Sequence, residues 1–385
     1  MDKIYKKHNS FVSLQGKYED DYNNFLKRLK SLLTDDQLKK FNLTNQKIIK
    51  KIETDIFGND LENNLDDTNK FTIKQNVIDE IKTINDNDLL RYLIHRYRYE
   101  IYPEKKIVDE YPPYLQIEPS SICNYRCVFC FMTDNSFNKK SSGYMGHMNL
   151  EMFKNIIDQA EGNIDFFSLA SRGEPMINPH INKMLEYTID KFLNLKINTN
   201  ASLLTEKKIH AILAGGVKTL VVSADAADEN LYKKLRVNGN LNIVLKNLEL
   251  FNNIKEKNYS HSKIITRVSG VKFDKDQNFE DMKKFWGGLV DQVAFVEYNP
   301  WENNYEKAKN EIKKPCSDLW RRMFVWWDGK TNPCDVDYKS KLSVGNFSDI
   351  TLNNLWNSDS YEELRKTHLN QKRFNLDPCS SCSVI

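Results

Sequence analysis

From Tyr114 onward the chain alternates strand-like and helix-like runs, and this alternation limits the fold more than any other feature. Strand-like runs fall at 114–119 (YLQIEP), 164–170 (IDFFSLA), 193–199 (LNLKINT), 217–224 (VKTLVVSA), 263–270 (KIITRVSG) and 291–298 (DQVAFVEY). Between them lie LEMFKNIIDQA, INKMLEYTIDK, TEKKIHAIL, LNIVLKNLELFNNIK and FEDMKKFWGGL, whose apolar residues recur three and four apart, the period of a helix face. Asn178 and Thr205 are expected helix caps and Gly215-Gly216 an expected helix stop. Strands joined through helices run parallel. Six such units are too few for an eight-stranded barrel, so the expected architecture is α/β, a partial (β/α)6 TIM-like barrel. A doubly wound open sheet is the alternative. Either fold gathers its chemistry at the carboxyl ends of the strands.

The flanks read differently. Residues 1–110 form an expected helical region, with DDYNNFLKRLKSLL, TNQKIIKKIETDIF and DNDLLRYLIHRYRYE in helical period and Asn/Asp clusters such as FGNDLENNLDDTN between them. This region holds 20 basic and 20 acidic residues and no cysteine, so it is a cap or docking surface rather than a basic nucleic-acid arm. Tyr111-Pro112-Pro113 marks the boundary to the barrel at 111–300. From about Trp301 the alternation stops, and 301–385 is expected to be a small α+β domain. There RMFVWWDGKTNPC turns as a hairpin at Asp328-Gly329, followed by a helix over ITLNNLWNSDSYEELRKTHL. Phe324, Trp326 and Trp327 read as core rather than an electron relay. The net charge of +3 excludes strong whole-protein attraction to nucleic acid or an anionic membrane. No apolar run is long enough to span a bilayer, and MDKIYKKHNS lacks the apolar segment of a signal peptide, so a cytoplasmic location is expected.

Seven cysteines then separate into two groups along the same boundary. Cys123, Cys127 and Cys130 stand as C-N-Y-R-C-V-F-C directly after the first strand. Cys316, Cys334, Cys379 and Cys382 lie in the last segment. An odd number without an export signal speaks for thiols that bind metal rather than for a disulfide framework. Three thiolates on one short loop suit a tetra-iron cluster with one iron left open for a small ligand, whereas structural zinc takes four protein ligands. A zinc knuckle completed by a distant ligand is the alternative. The second group can close a complete four-thiolate shell, around zinc or an iron–sulfur cluster.

With CxxxCxxC after the first strand of a six-strand β/α unit, residues 112–300 resemble the radical S-adenosylmethionine (SAM) superfamily. The resemblance implies a [4Fe–4S] cluster on Cys123, Cys127 and Cys130 whose open iron is chelated by SAM. Further segments resemble family features at strand ends. Ser171-Arg172-Gly173-Glu174-Pro175 resembles the Gly-Gly-Glu-Pro segment that meets the SAM amino group, with Arg172 in place of the first glycine. Asn198-Thr199-Asn200-Ala201 resembles a Thr-Asn-Gly segment, and Ser223-Ala224-Asp225 a Ser-x-Asp segment. Arg236 resembles an arginine holding the SAM carboxylate, and Phe129 the aromatic residue beside adenine. The implied SAM contacts are therefore Phe129, Gly173, Glu174, Asn200, Ser223, Asp225 and Arg236.

The run C-x12-G-x4-C followed by C-x2-C is similar to the twitch domain, the short form of SPASM auxiliary-cluster domains. This implies one auxiliary [4Fe–4S] cluster on Cys316, Cys334, Cys379 and Cys382. No cysteine then remains as a hydrogen donor, which favours oxidation over epimerisation and resembles the deoxy-scyllo-inosamine dehydrogenase type. The implied substrate is a small polyol, amino sugar or nucleotide sugar, and the implied electron donor is a flavodoxin or ferredoxin. Glu297, Tyr298, Asp335 and Asp337 are candidate proton acceptors. Two alternatives stand beside this reading: a radical SAM peptide maturase, and a non-catalytic zinc protein that docks a partner through its N-terminal helices.

Overall fold

A computed structural model describes residues 11–14, 18–58, 70–170, 172–299, 302 and 304–385. Ser171, Trp301, the MDKIYKKHNS segment and most of the Asn/Asp cluster at 58–69 lie outside the described residues.

The N-terminal elements are strand β1 (Phe11–Ser13) and helices α1 (Tyr18–Leu32), α2 (Asp35–Leu38), α3 (Leu43–Phe57), α4 (Gln75–Thr83) and α5 (Asp86–Lys105). The repeating region follows as β2 (Tyr114–Ile117), β3 (Arg126–Cys127), α6 (Leu150–Ala160), β4 (Phe166–Leu169), α7 (Ile181–Tyr187), β5 (Asn194–Thr199), α8 (Glu206–Ala214), β6 (Val217–Ser223), α9 (Glu229–Leu235), β7 (Arg236–Val237), α10 (Leu241–Asn258), β8 (Ile265–Lys272), α11 (Phe279–Trp286) and β9 (Gln292–Glu297). The last part holds β10 (Arg322–Val325), β11 (Lys330–Asn332), β12 (Gly345–Asn346), α12 (Leu352–Trp356) and α13 (Asp359–Leu369).

The six expected strands are β2, β4, β5, β6, β8 and β9, and they pair in that order, all parallel. This is the partial (β/α)6 barrel. Its outer face buries apolar residues from the strands against the helices, including Leu195, Ile197, Leu220 and Val222 against Ile209, Ile212, Val244 and Leu248. A second core, between α1, α3, α4 and α5, meets the barrel through Tyr114 and Phe166. Arg91 and His95 of α5 fasten it there by gripping the buried Asp165 at 2.7 Å or less.

Three features depart from the sequence reading. Strand β1 adds an antiparallel edge to β9, within a region expected to be helical. The hairpin turns at Gly329 (φ +82°) as expected, but β10 lies parallel to β2 and extends the barrel sheet. The cysteine-bearing C-terminal part is thus joined to the barrel edge through β10. Asn178 does not cap α7. The N-cap residue is His180, and the Asn178 amide instead bonds the carbonyls of Pro119 and Met148 while its oxygen accepts the His180 N–H. Thr205 and Gly215 flank α8 as expected.

Candidate active site between two cysteine groups

After β2 the chain must turn sharply, and Gly173 decides how closely. A Cβ there would stand 2.3 Å from the Ser120 carbonyl oxygen and 2.6 Å from that of Ile122, so only glycine lets the ends of β2 and β4 touch. Glu174 N–H then donates to the Ile122 carbonyl at 2.9 Å. The loop carries Cys123 forward into the β3–β7 ladder, which pairs Cys127 with Arg236. Arg126 wraps the loop by donating to the carbonyls of Cys123 and Tyr125.

A cavity of about 480 Å³ opens at the carboxyl ends of the strands. Cys123, Cys127 and Cys130 line it, as do all seven expected SAM contacts: Phe129, Gly173, Glu174, Asn200, Ser223, Asp225 and Arg236. Arg236 pairs with the buried Asp225 at 2.6 Å and reaches toward the Cys127 sulfur at 3.8 Å. Asp225 also accepts the Val271 N–H at 2.7 Å. The Glu174 carboxylate takes donors from Thr199 (2.6 Å), the Asn200 N–H (2.7 Å) and the Met176 N–H (3.1 Å). A carboxylate offers about four acceptor sites, so these three donors orient it and leave capacity for one more. Burial nevertheless raises its pKa against those bonds. Phe129 lies against Phe273 and Arg236.

Glu297, Tyr298, Asp335, Val336 and Val384 line the same cavity. Val336 and Val384 belong to the apolar cluster that contains Cys382 and packs against Cys316 and Cys334. Arg373 orders the C-terminal hook, donating to the carbonyls of Cys379 (3.2 Å), Cys382 (2.9 Å) and Val384 (3.0 Å). Asp337 does not line the cavity. It is buried, accepting the Tyr305 hydroxyl at 2.5 Å and the Leu342 N–H at 2.7 Å, and burial holds its pKa up to about 6. It therefore leaves the set of candidate proton acceptors and acts as a turn anchor. Phe324 and Trp326 are fully buried, as core residues.

Among the described residues, no three His, Cys, Asp or Glu side chains are arranged to hold a single metal ion. The donor chemistry fits larger sulfur-ligated groups. All seven cysteines are unbridged thiols, and burial pushes Cys123 up to about 12 and Cys316 up to about 11. Soft metal centres displace such protons and bind the thiolates.

Sequence reasoning passed over Glu118, Asn124 and Arg373. Glu118 pairs with Arg172, and Asn124 accepts from the Asn200 amide at 2.9 Å, tying the cysteine loop to β5. A charged residue ending the apolar run YLQIEP was the available signal for Glu118; nothing local marked Asn124 or Arg373.

Comparison with known proteins places two matches along the chain. Residues 117–285 match the radical SAM superfamily, and residues 316–383 match an iron–sulfur cluster-binding domain, SPASM. The GTP 3',8-cyclase of Clostridium botulinum (strain Okra / Type B1) is 26% identical over 215 residues, 54% of this chain. The chain spans 64% of that relative's length. The S-adenosyl-L-methionine-dependent 2-deoxy-scyllo-inosamine dehydrogenase of Niallia circulans is 21% identical over 276 residues, covering 70% of this chain and 92% of the relative. The structure of Streptococcus suis SuiB bound to S-adenosylmethionine shares the fold, with a TM-score of 0.52 at 17% identity over 76% of this chain and 77% of that one. SAM, a [4Fe–4S] cluster and an auxiliary cluster are the cofactors these two domains imply. With its parallel partial barrel and its cysteine-lined cavity, the chain carries a radical SAM domain over residues 117–285 and a C-terminal iron–sulfur cluster-binding domain over residues 316–383.

Proposed function

We propose that this radical SAM enzyme oxidises a small polyol, amino sugar or nucleotide sugar held in the 480 Å³ cavity. One observation carries the reading: the same cavity is lined by Cys123, Cys127 and Cys130 and by Val336 and Val384, which pack around C-terminal cysteines. In this proposal the first three cysteines hold the SAM-binding cluster, and Cys316, Cys334, Cys379 and Cys382 hold the auxiliary one. When bound, these cofactors supply hydrogen-atom abstraction and a sink for one electron. The chain's own part is to hold and enclose. Glu174 orients an ammonium group, Arg236 and Asp225 set the charge beside Cys127, and Phe129 offers an aromatic face. Glu297 and Asp335, which line the cavity, remain the candidate carboxylates to take an alcohol proton. The 2-deoxy-scyllo-inosamine dehydrogenase, a relative over most of its length, supports a small-molecule alcohol as substrate. Reduction by a flavodoxin or ferredoxin and a cytoplasmic location complete the proposal. Among the described residues no helix is long and apolar enough to cross a membrane.

Anaerobically purified protein is expected to hold about eight iron and eight sulfide. With dithionite it is expected to form deoxyadenosine, and deuterium from a labelled polyol or sugar should appear in that product. Cys127→Ala should abolish cleavage, and Cys382→Ala should retain it. Cleavage that survives in Cys127→Ala overturns the cluster assignment.

A further inference from the structure

Below the cavity just described lies a second one of about 340 Å³, toward the amino ends of the strands. Gln116, Asn198, Ser269 and Arg322 line both, so the two share a boundary across the barrel lumen. The floor of the lower chamber comes from the N-terminal region, through Lys74, Asn76, Arg96, Tyr99 and Glu100.

Its walls are cationic. Lys74, Arg96, Lys196, Arg267, Arg321 and Arg322 line it, with Glu100 as the single lining carboxylate among the described residues. Other carboxylates answer part of this charge from behind. Glu80 pairs with Lys196 at 3.0 Å, Asp318 stands 3.7 Å from Arg321 and 4.0 Å from Arg322, and Asp79 meets the Gln292 amide that in turn accepts from Arg267. Glu100 takes the Arg96 Nη2 at 2.6 Å, while the buried Arg96 Nε has no hydrogen-bond partner among the described residues. Among the described residues, positive charge therefore exceeds negative charge around this partly enclosed space. The Tyr99 phenol registers this: burial raises its pKa, yet Arg322 and Arg321 outweigh burial and lower it overall. Buried charge of one sign is costly unless an opposite charge joins it, and guanidinium groups suit phosphate oxygens in their fork geometry. The volume exceeds what a lone phosphate fills, leaving room for an attached group.

We infer that the lower chamber is an anion subsite that takes a phosphate or diphosphate group of the substrate, whose remaining portion extends past Arg322 into the upper cavity. This rests on the proposal that the substrate occupies the upper cavity, and it narrows the substrate class to a phosphorylated or diphosphate-linked sugar. It also gives α4 and α5 a role in recognition.

The test is calorimetric titration of anaerobic holoenzyme with pyrophosphate and, separately, with malonate. Pyrophosphate is expected to bind, malonate more weakly, and Arg96→Gln to weaken pyrophosphate by at least about tenfold, the scale of one charge-assisted hydrogen bond. Arg321→Gln gives the same readout if Arg96→Gln does not fold. Wild-type enzyme that cleaves SAM but does not bind pyrophosphate, tighter binding of malonate, or unchanged affinity in a folded variant each overturn the inference. Absence of SAM cleavage in wild type instead sinks the radical SAM assignment, and is read separately from the titration.

Discussion

Arg172 and Glu118 form a buried ion pair, with Nε and Nη2 of the guanidinium at 2.7 and 2.5 Å from the two carboxylate oxygens. The remaining Nη1 donates to the Tyr338 carbonyl at 2.9 Å, and the guanidinium stacks on Trp326 with its carbon 4.2 Å from the ring centroid. The residue standing where the superfamily segment has glycine therefore staples the end of β4 to β2 and to the cysteine-bearing tail. Arg172→Gly leaves Glu118 buried without its partner, and the expected loss is about 3–5 kcal/mol. Urea denaturation reads this. A loss well below 1 kcal/mol would show that the pair carries no net stability.

Gly173→Ala is expected to damage the site more than its single methyl suggests. The added carbon meets backbone on three sides, and backbone cannot swing away as a side chain does. Separation of the β2 and β4 ends should cost about 1–3 kcal/mol and lower SAM affinity. Equilibrium dialysis with labelled SAM alongside a melting curve separates the two effects. Wild-type affinity in the variant would dismiss the close approach as functionally idle.

Acid sensitivity should centre on Glu80. Burial raises its pKa, but Lys196, Arg96 and Arg267 outweigh burial and bring it down to about 2. A depressed carboxyl stabilises the fold above its unfolded value and loses that contribution as pH falls through the folded value. The window is pH 4.5 down to about 2. Glu80→Gln is expected to lower the melting temperature at pH 7 and to flatten the acid limb within that window. An unaltered acid limb contradicts the linkage.

The two cysteine groups should be separable by iron content. Cys334→Ala is expected to lose about four of about eight irons and still form deoxyadenosine; Cys130→Ala is expected to lose a similar amount and form none. Loss of all iron in either variant would mean that the groups do not assemble independently.

Periodicity and spacing are local properties, and what depends on them was legible in the chain. The period of two or of 3.6 marked all six parallel strands and the helices between them apart from the short α9. Glycine at Asp328-Gly329 marked the hairpin, because a positive φ is needed there. Cysteine spacing located both thiol groups, since a short spacer limits how far apart donors can stand. Three-dimensional contact between distant segments decided the rest. Cys127 and Arg236 meet through a two-residue ladder that no local pattern announces. Asp337 carries a carboxyl as Asp335 does, yet only the fold turns one toward the cavity and buries the other among donors. Lys196 and Arg267 read as the polar side of alternating strands, the side that usually meets water. They line a cavity because residues of α4 and α5, more than 90 residues earlier than Lys196 in the case of α5, pack across the barrel floor. Local sequence sets which side of a strand is polar; what that side meets is set by packing between elements far apart in the chain.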